Sequence, residues 1–226
     1  MMSVRAAQYT DLVGRAVLIG IFAFVATAKI ISLITLLRES ESLRILDVAA
    51  YMASIAFVAL IVVMTFLRLK PISSAEGVEP RISALVGTGL SMTIPLLPLA
   101  ENPVPLQMTA LILILIGGVL SAYVLLWLGR SFSIMAQARN LVTTGPYSII
   151  RHPLYLTEEI VVIGIAINYW SIEAALIVVV HWLLQLRRMT NEERVLRATF
   201  PGYEAYAKHT PKIIPRLFPK FHFGHA

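Results

Sequence analysis

A helical membrane bundle is the fold class this sequence predicts, and three observations predict it. Hydrophobic residues make up 58% of the 226 and charged ones only 14%, against roughly 45–50% apolar and 25% charged in soluble domains. Six apolar runs approach the ~20 residues that cross a bilayer as a helix. Lysine and arginine collect in alternate connections between those runs, as the positive-inside bias requires. The expectation is therefore all-α: a polytopic integral membrane bundle of about six transmembrane helices, N- and C-termini cytoplasmic, in one domain over 1–226.

The expected spans are 14–37, 48–67, 82–100, 106–129, 154–169 and 172–187. The opening "MMSVRAAQYTDLVGR" contains polar groups and no small-residue cleavage pattern, so the first run reads as a retained span rather than a signal peptide. Pro95 and Pro98 should kink the third. The fifth starts at about Pro153, because proline disfavours helix at His152 before it. It is short and turns through Tyr169, Trp170 and Ser171 into the sixth, a hairpin over 154–187. No internal repeat or low-complexity linker divides the chain. Residues 1–104 hold three spans and 105–226 hold the hairpin and a polar C-terminal segment.

With the N-terminus inside, the cytoplasmic segments hold Arg5 and Arg15; Arg68, Lys70 and Arg81; Arg130, Arg139 and Arg151; and every basic residue from Arg187 onward. Arg38 and Arg44 fall outside, and Lys29 lies within the first span. The net charge of +6 then reflects topology and contact with anionic headgroups. Nucleic acid is not implied, since no soluble basic domain exists and aromatics do not interleave with the basic residues. Cysteine is absent, which removes disulfides, thiolate nucleophiles and Cys-ligated metals; no metal is expected. The expected location is a membrane, the bacterial inner membrane or, in a eukaryote, the endoplasmic reticulum. Oligomeric state is not readable.

The two longest polar segments, 130–153 and 188–226, flank the hairpin on the cytoplasmic side and would meet in space. Between them and the hairpin's start stand Gln137, Arg139, Tyr147, Arg151, His152, Tyr155, Glu158, Glu159, Arg188, Glu192, Glu193, Tyr203 and Tyr206. Opposite charges and aromatics at a membrane face suit a polar, charged ligand whose reaction partner comes from lipid.

"LVTTGPYSIIRHPLY", followed by "NEERVLRATFPGYEAYAKHTPKIIPRL", resembles the C-terminal half of the isoprenylcysteine carboxyl methyltransferase-like family over about residues 129–218. These are integral membrane enzymes that use S-adenosyl-L-methionine without a Rossmann domain, and no Gly-rich strand–helix fingerprint occurs here. The resemblance implies cofactor contacts at Gln137, Arg139, Asn140, Leu141, Val142, Tyr147, His152, Pro153, Leu154, Tyr155 and Glu192. It implies a substrate-contacting, catalytic arginine at Arg188, with Arg151 as a second steering charge. Thr157 stands where the family often has Gly, and Arg139 where it often has His.

The chemistry is compatible. Carboxylates can pair with the cofactor's amine or ribose, Arg or His with its carboxylate, and Tyr faces with its sulfonium or adenine. An activated methyl needs mainly alignment, which can supply roughly 7–11 kcal/mol at best, and a carboxylate acceptor needs no general base. The expected function is methyl transfer to a lipophilic substrate entering from the bilayer, at a carboxylate. Alternatives are a membrane NADPH-dependent sterol or enone reductase, a phospholipid amine N-methyltransferase, and a non-enzymatic lipid carrier. Several residues have plainer readings. Glu193 follows Thr190 at capping-box spacing, Glu158 and Glu159 complement a helix dipole, Tyr203 and Tyr206 anchor a short helix, and Lys29 and His181 are ionisable groups inside spans that are left outside the site.

Overall fold

The computed structural model describes residues 4–39 and 45–215, which are mostly helical. Arg44, Arg216 and Lys220, and the end of the motif-bearing stretch beyond 215, lie outside the described residues. In order come α1 (Val4–Glu39), α2 (Ile45–Leu67), β1 (Ser73–Ser74), α3 (Glu79–Ser91), α4 (Val104–Leu128), β2 (Gln137–Ala138), α5 (Pro146–Ile149), α6 (Pro153–Asn168), α7 (Ile172–Thr199) and α8 (Tyr203–His209).

Among the described residues three helices are long and apolar enough to cross a membrane, Asp11–Arg38, Ile45–Leu67 and Val104–Ser131. The other expected spans take different forms. Over 82–100 the helix stops at Ser91, a single 3-10 turn follows at Ile94–Leu96, and Pro95 and Pro98 bar its continuation. α6 has 16 residues. α7 has 28 and runs unbroken past 187 to Thr199, carrying Arg188, Glu192 and Glu193 on one helix.

α1, α2, α4 and α6 pack in that order, while α3 packs on α7. Leu18 and Phe22 of α1, Val58 and Ile61 of α2, and Val124 and Leu125 of α4 form one core with Phe132, Ile134, Tyr147 and Leu154. The α4–α6 contact is the closest. A Cβ at Gly164 would come within 2.9 Å of the Ala110 carbonyl oxygen, and one at Gly117 within 2.8 Å of Val161. Small residues let membrane helices approach and gain dispersion energy where lipid offers no hydrophobic drive. Thr157 belongs to this seam: its hydroxyl accepts from Ser121 Oγ at 3.0 Å and donates to the Leu154 carbonyl, a cross-helix bond worth on the order of 0.6 kcal/mol.

α6 and α7 touch only sparingly although a tight turn joins them. Ser171 caps α7, accepting from Ala174 N at 3.1 Å. From there α7 leans toward α3, where Asn191 Nδ2 donates to both Glu79 oxygens and Arg187 Nε to Glu79 Oε1 at 2.8 Å. A cavity opens between the two groups of helices.

Candidate active site

The cavity measures about 620 Å³ and is lined from α1, α2, α3, α4, α6 and α7. Its polar end is built by the connections. β2 pairs antiparallel with β1, Ser73 opposite Ala138 and Ser74 opposite Gln137, which holds Gln137 at the rim. Gly145 takes φ +59, a left-handed conformation that side chains resist. A Cβ there would lie 2.5 Å from the Trp127 ring, so only glycine lets the chain turn over that indole into α5. Tyr147 is buried on α5, and the Tyr206 hydroxyl of α8 donates to its carbonyl at 2.6 Å. Burial holds the Tyr147 phenol well above its usual range, with nearby carboxylates adding to it.

His152 and Tyr155 stand at the start of α6, ring against edge at 5.5 Å. The Tyr155 hydroxyl donates to Glu192 Oε2 at 3.1 Å, and His152 Nδ1 lies 4.0 Å from the same oxygen. His152 Nε2 meets Glu193 Oε1 at 3.1 Å. Arg151 donates to that carboxylate through Nε at 3.1 Å, with Nη2 at 3.0 Å, and to the Ala207 and Thr210 carbonyls. The backbone amides of Arg151 and His152 donate to Pro211 and Lys212, so the segment after α8 is tied across this corner. For Glu193, burial favours the neutral acid but is outweighed by the His152 hydrogen bond and the charges of His152, Arg151 and Lys212, and the carboxyl is held down at about 2.

Arg188 projects from α7 with its guanidinium carbon 5.2 Å from the Tyr155 ring centroid. Nη1 donates to Gln185 Oε1 at 2.6 Å and Nη2 to the Ile134 carbonyl at 3.1 Å, while Nε is buried without a hydrogen-bond partner. Glu158, one turn after Tyr155, also lines the cavity. His181 Nδ1 donates to the Gly87 carbonyl at 2.9 Å, and its Nε2 lies 3.3 Å from Glu159 Oε2.

The structure thus brings Gln137, Tyr147, Arg151, His152, Leu154, Tyr155, Arg188 and Glu192 to one cavity. Asn140, Leu141, Val142 and Pro153 are not on its wall. Val142 packs on the main core and Asn140 is exposed. Arg139 also stands behind the wall, its side chain fully buried; Nη2 pairs with Asp11 Oδ1 at 3.1 Å and donates to Gln137 Oε1 at 2.6 Å, and Nη1 bonds the Leu69 carbonyl. Arg68 Nη2 joins Asp11 Oδ1 at 2.9 Å and Arg15 Nη2 joins Oδ2 at 3.3 Å. Two residues carry more than the sequence suggested. Glu193 sits inside α7 and is the counter-charge of Arg151 and His152, while Thr190 donates to Leu186 within the helix. Asp11 gives no sign in the sequence of partners more than fifty residues away.

The residues present suit S-adenosyl-L-methionine: a carboxylate at Glu192 and ring faces at Tyr155 and His152, with Arg188 beside them holding a buried N–H free for a second ligand. A family model described as phospholipid methyltransferase matches residues 106–202. The chain resembles the isoprenylcysteine carboxyl methyltransferase-like membrane proteins. A protein-S-isoprenylcysteine O-methyltransferase of Schizosaccharomyces pombe is 34% identical over 49% of this chain and 50% of its own. A second, from Arabidopsis thaliana, is 32% identical over 46% and 57%. A nickel-cobalt-cadmium resistance protein of Alcaligenes xylosoxydans xylosoxydans is 37% identical over 36% and 38%. The chain thus covers less than two thirds of each relative's length. The family-model match falls on the stretch from α4 to α7, where Gln137, His152, Tyr155, Arg188 and Glu192 stand.

Proposed function

We propose that the protein transfers a methyl group from S-adenosyl-L-methionine to a lipophilic acceptor at the cytoplasmic face of a membrane, with six membrane-crossing segments and both termini cytoplasmic. The observation that carries this reading is the convergence of His152 and Tyr155 from α6 with Glu192 and Arg188 from α7 on one cavity whose lining from α1, α2 and α6 is otherwise mostly apolar. Glu192 would take the donor's amine or ribose hydroxyls, and Tyr155 and His152 its flat or cationic parts. When bound, the cofactor supplies an activated methyl on a sulfonium. The chain's own residues align the acceptor and keep water out.

The acceptor atom is read as a carboxylate oxygen. Arg188 keeps N–H groups unused by the protein, Nε among them, and a guanidinium is the natural grip for a planar anion. One observation favours a second reading, a phospholipid amine. Glu158 lines the same cavity one turn beyond Tyr155, and a carboxylate there suits an acceptor that must shed a proton.

Calorimetry of the detergent-solubilised protein against S-adenosylhomocysteine and NADPH tests the reading. S-adenosylhomocysteine binds, and Ala at His152, Tyr155 or Glu192 weakens it by about 1.5–3 kcal/mol for each charge-assisted hydrogen bond removed. Binding of NADPH alone would point to the reductase. Lipid extracts incubated with isotopically labelled methyl donor would then identify the acceptor by mass.

A further inference from the structure

Leu18, Phe22, Val25, Lys29 and Ser32 recur along α1 at intervals of three and four and so share one face. Leu18 and Phe22 are buried against α2 and α4, with Val25 packed on the same core, which makes that face the inward one. Lys29 therefore holds an inward position in a helix apolar enough to span a membrane, and it lines the cavity. Among the described residues no carboxylate pairs with it within 4 Å. An ammonium inside a span is costly unless an anion or water meets it, and such residues mark ligand paths.

Its level in the fold is set by helix geometry. At about 1.5 Å per residue, Lys29 stands about 27 Å along α1 from Asp11, Tyr51 about 25 Å along α2 from Arg68, and Tyr169 about 24 Å along α6 from Pro153. Asp11 and Arg68 are bonded to each other, and Pro153 adjoins His152, so the three positions are at a similar distance from the polar end. Tyr51, Asn168 and Tyr169 line the cavity with Lys29, whereas Phe57, Val162 and Ile165, which also line it, stand by the same measure only about 13–18 Å from the polar end. One cavity thus has a polar site at each end and an apolar waist between.

We propose that the far end is a second recognition site, at which Lys29, in company with Tyr51 and Tyr169, takes an anionic group of an elongated lipophilic ligand. That this ligand's other end is the methyl acceptor rests on the function proposed above; the anion site itself does not. The span of about 24–27 Å along the helices fits a chain with an acid at one end better than a bulky ring system.

The probes are palmitate and its neutral counterpart hexadecanol, titrated calorimetrically into the full chain in non-ionic detergent above neutral pH. Wild type binds palmitate tighter by roughly tenfold or more, the scale of one charge-assisted hydrogen bond. Lys29→Met brings palmitate down to the hexadecanol level and leaves hexadecanol unchanged, while Lys29→Arg keeps the preference. Lys29→Gln serves should the Met variant fail to fold. Three results overturn the proposal: no preference in wild type, a preference that survives Lys29→Met or Lys29→Gln, or one that Arg188→Met removes instead, which would seat the acid at the polar end. S-adenosylhomocysteine titrated into the same samples keeps the two readings apart, since its failure to bind wild type counts against methyl transfer and not against the anion site.

Discussion

Replacing Glu193 by Gln removes one charge from the corner where α6, α7 and the segment after α8 meet, and keeps the shape. The carboxylate is 6% exposed and takes Arg151 at 3.0 Å and His152 at 3.1 Å. Its ionisation is held at about 2 against an ordinary 4.5. At about 1.36 kcal/mol per pH unit that difference is at most about 3.4 kcal/mol, and screening by water at the rim leaves about 2–3. The folded-state value is depressed, so this stability is fully present above pH 4.5 and is lost as pH falls through the window from about 4.5 to about 2. At pH 7, Glu193→Gln should lower the melting temperature by about 4–12 °C, at 2–4 °C per kcal/mol for a chain of this size. The deficit should shrink as both proteins are taken toward pH 3. Unfolding followed by tryptophan fluorescence in detergent reads this directly. Equal melting temperatures at pH 7, or a deficit that stays constant down to pH 3, would refute the argument that ionised Glu193 holds this corner.

Three further outcomes are expected. Asp11→Asn leaves Arg68 and Arg139 buried without their counter-charge, should destabilise by about 3–5 kcal/mol, and should weaken S-adenosylhomocysteine in titration because Arg139 no longer fixes Gln137; full affinity in a folded variant would detach Asp11 from the site. Arg188→Ala should cut turnover strongly while cofactor affinity stays near wild type, and Arg188→Lys should rescue little, since a point charge cannot copy a planar grip; equal loss of both in parallel titration and turnover would move Arg188 to the cofactor. Gly164→Val should cost about 1–3 kcal/mol in thermal unfolding, because its Cβ has no room beside the Ala110 carbonyl.

The parts of this fold that follow a local rule were legible in the sequence. Pro153 marks the start of α6, and the turn at Tyr169–Ser171 joins α6 to α7. The motif residues His152, Tyr155, Arg188 and Glu192 do share a cavity, since a continuous α7 places positions four apart on one face. What was not legible depends on partners far along the chain. Arg139 reads as a cofactor contact, yet its guanidinium is spent on Asp11 and Leu69. Glu193 beside Glu192 has the same side chain and the opposite task, and only the helix angle separates the one facing Tyr155 from the one facing Arg151. The third run reads as one helix over 82–100 kinked at Pro95 and Pro98, whereas the helix stops at Ser91 and only a 3-10 turn follows, since two prolines so close remove the amide donors a continued helix needs.

The division of charges across the molecule bears on where a ligand can act. Asp11 gathers Arg15, Arg68 and Arg139, Glu193 gathers Arg151, His152 and Arg197, and Glu79 takes Arg187 and Asn191. Each group joins segments distant in sequence through at least one carboxylate–cation contact, so each fastens the fold without ligand, although the Asp11 and Glu193 groups hold more positive than negative charge. Along the cavity wall the pattern differs. Among the described residues, Lys29, Glu158 and Arg188 have no oppositely charged side chain within 4 Å, although all three line the same space. Arg188 is buried and Lys29 and Glu158 are half-buried; charge drawn from water and left unmatched by protein is unfavourable, and another molecule entering the cavity would complete it. The fastenings set the frame, and the three unmatched charges define what the frame is shaped to receive: a molecule with polar groups at two levels and an apolar stretch between them.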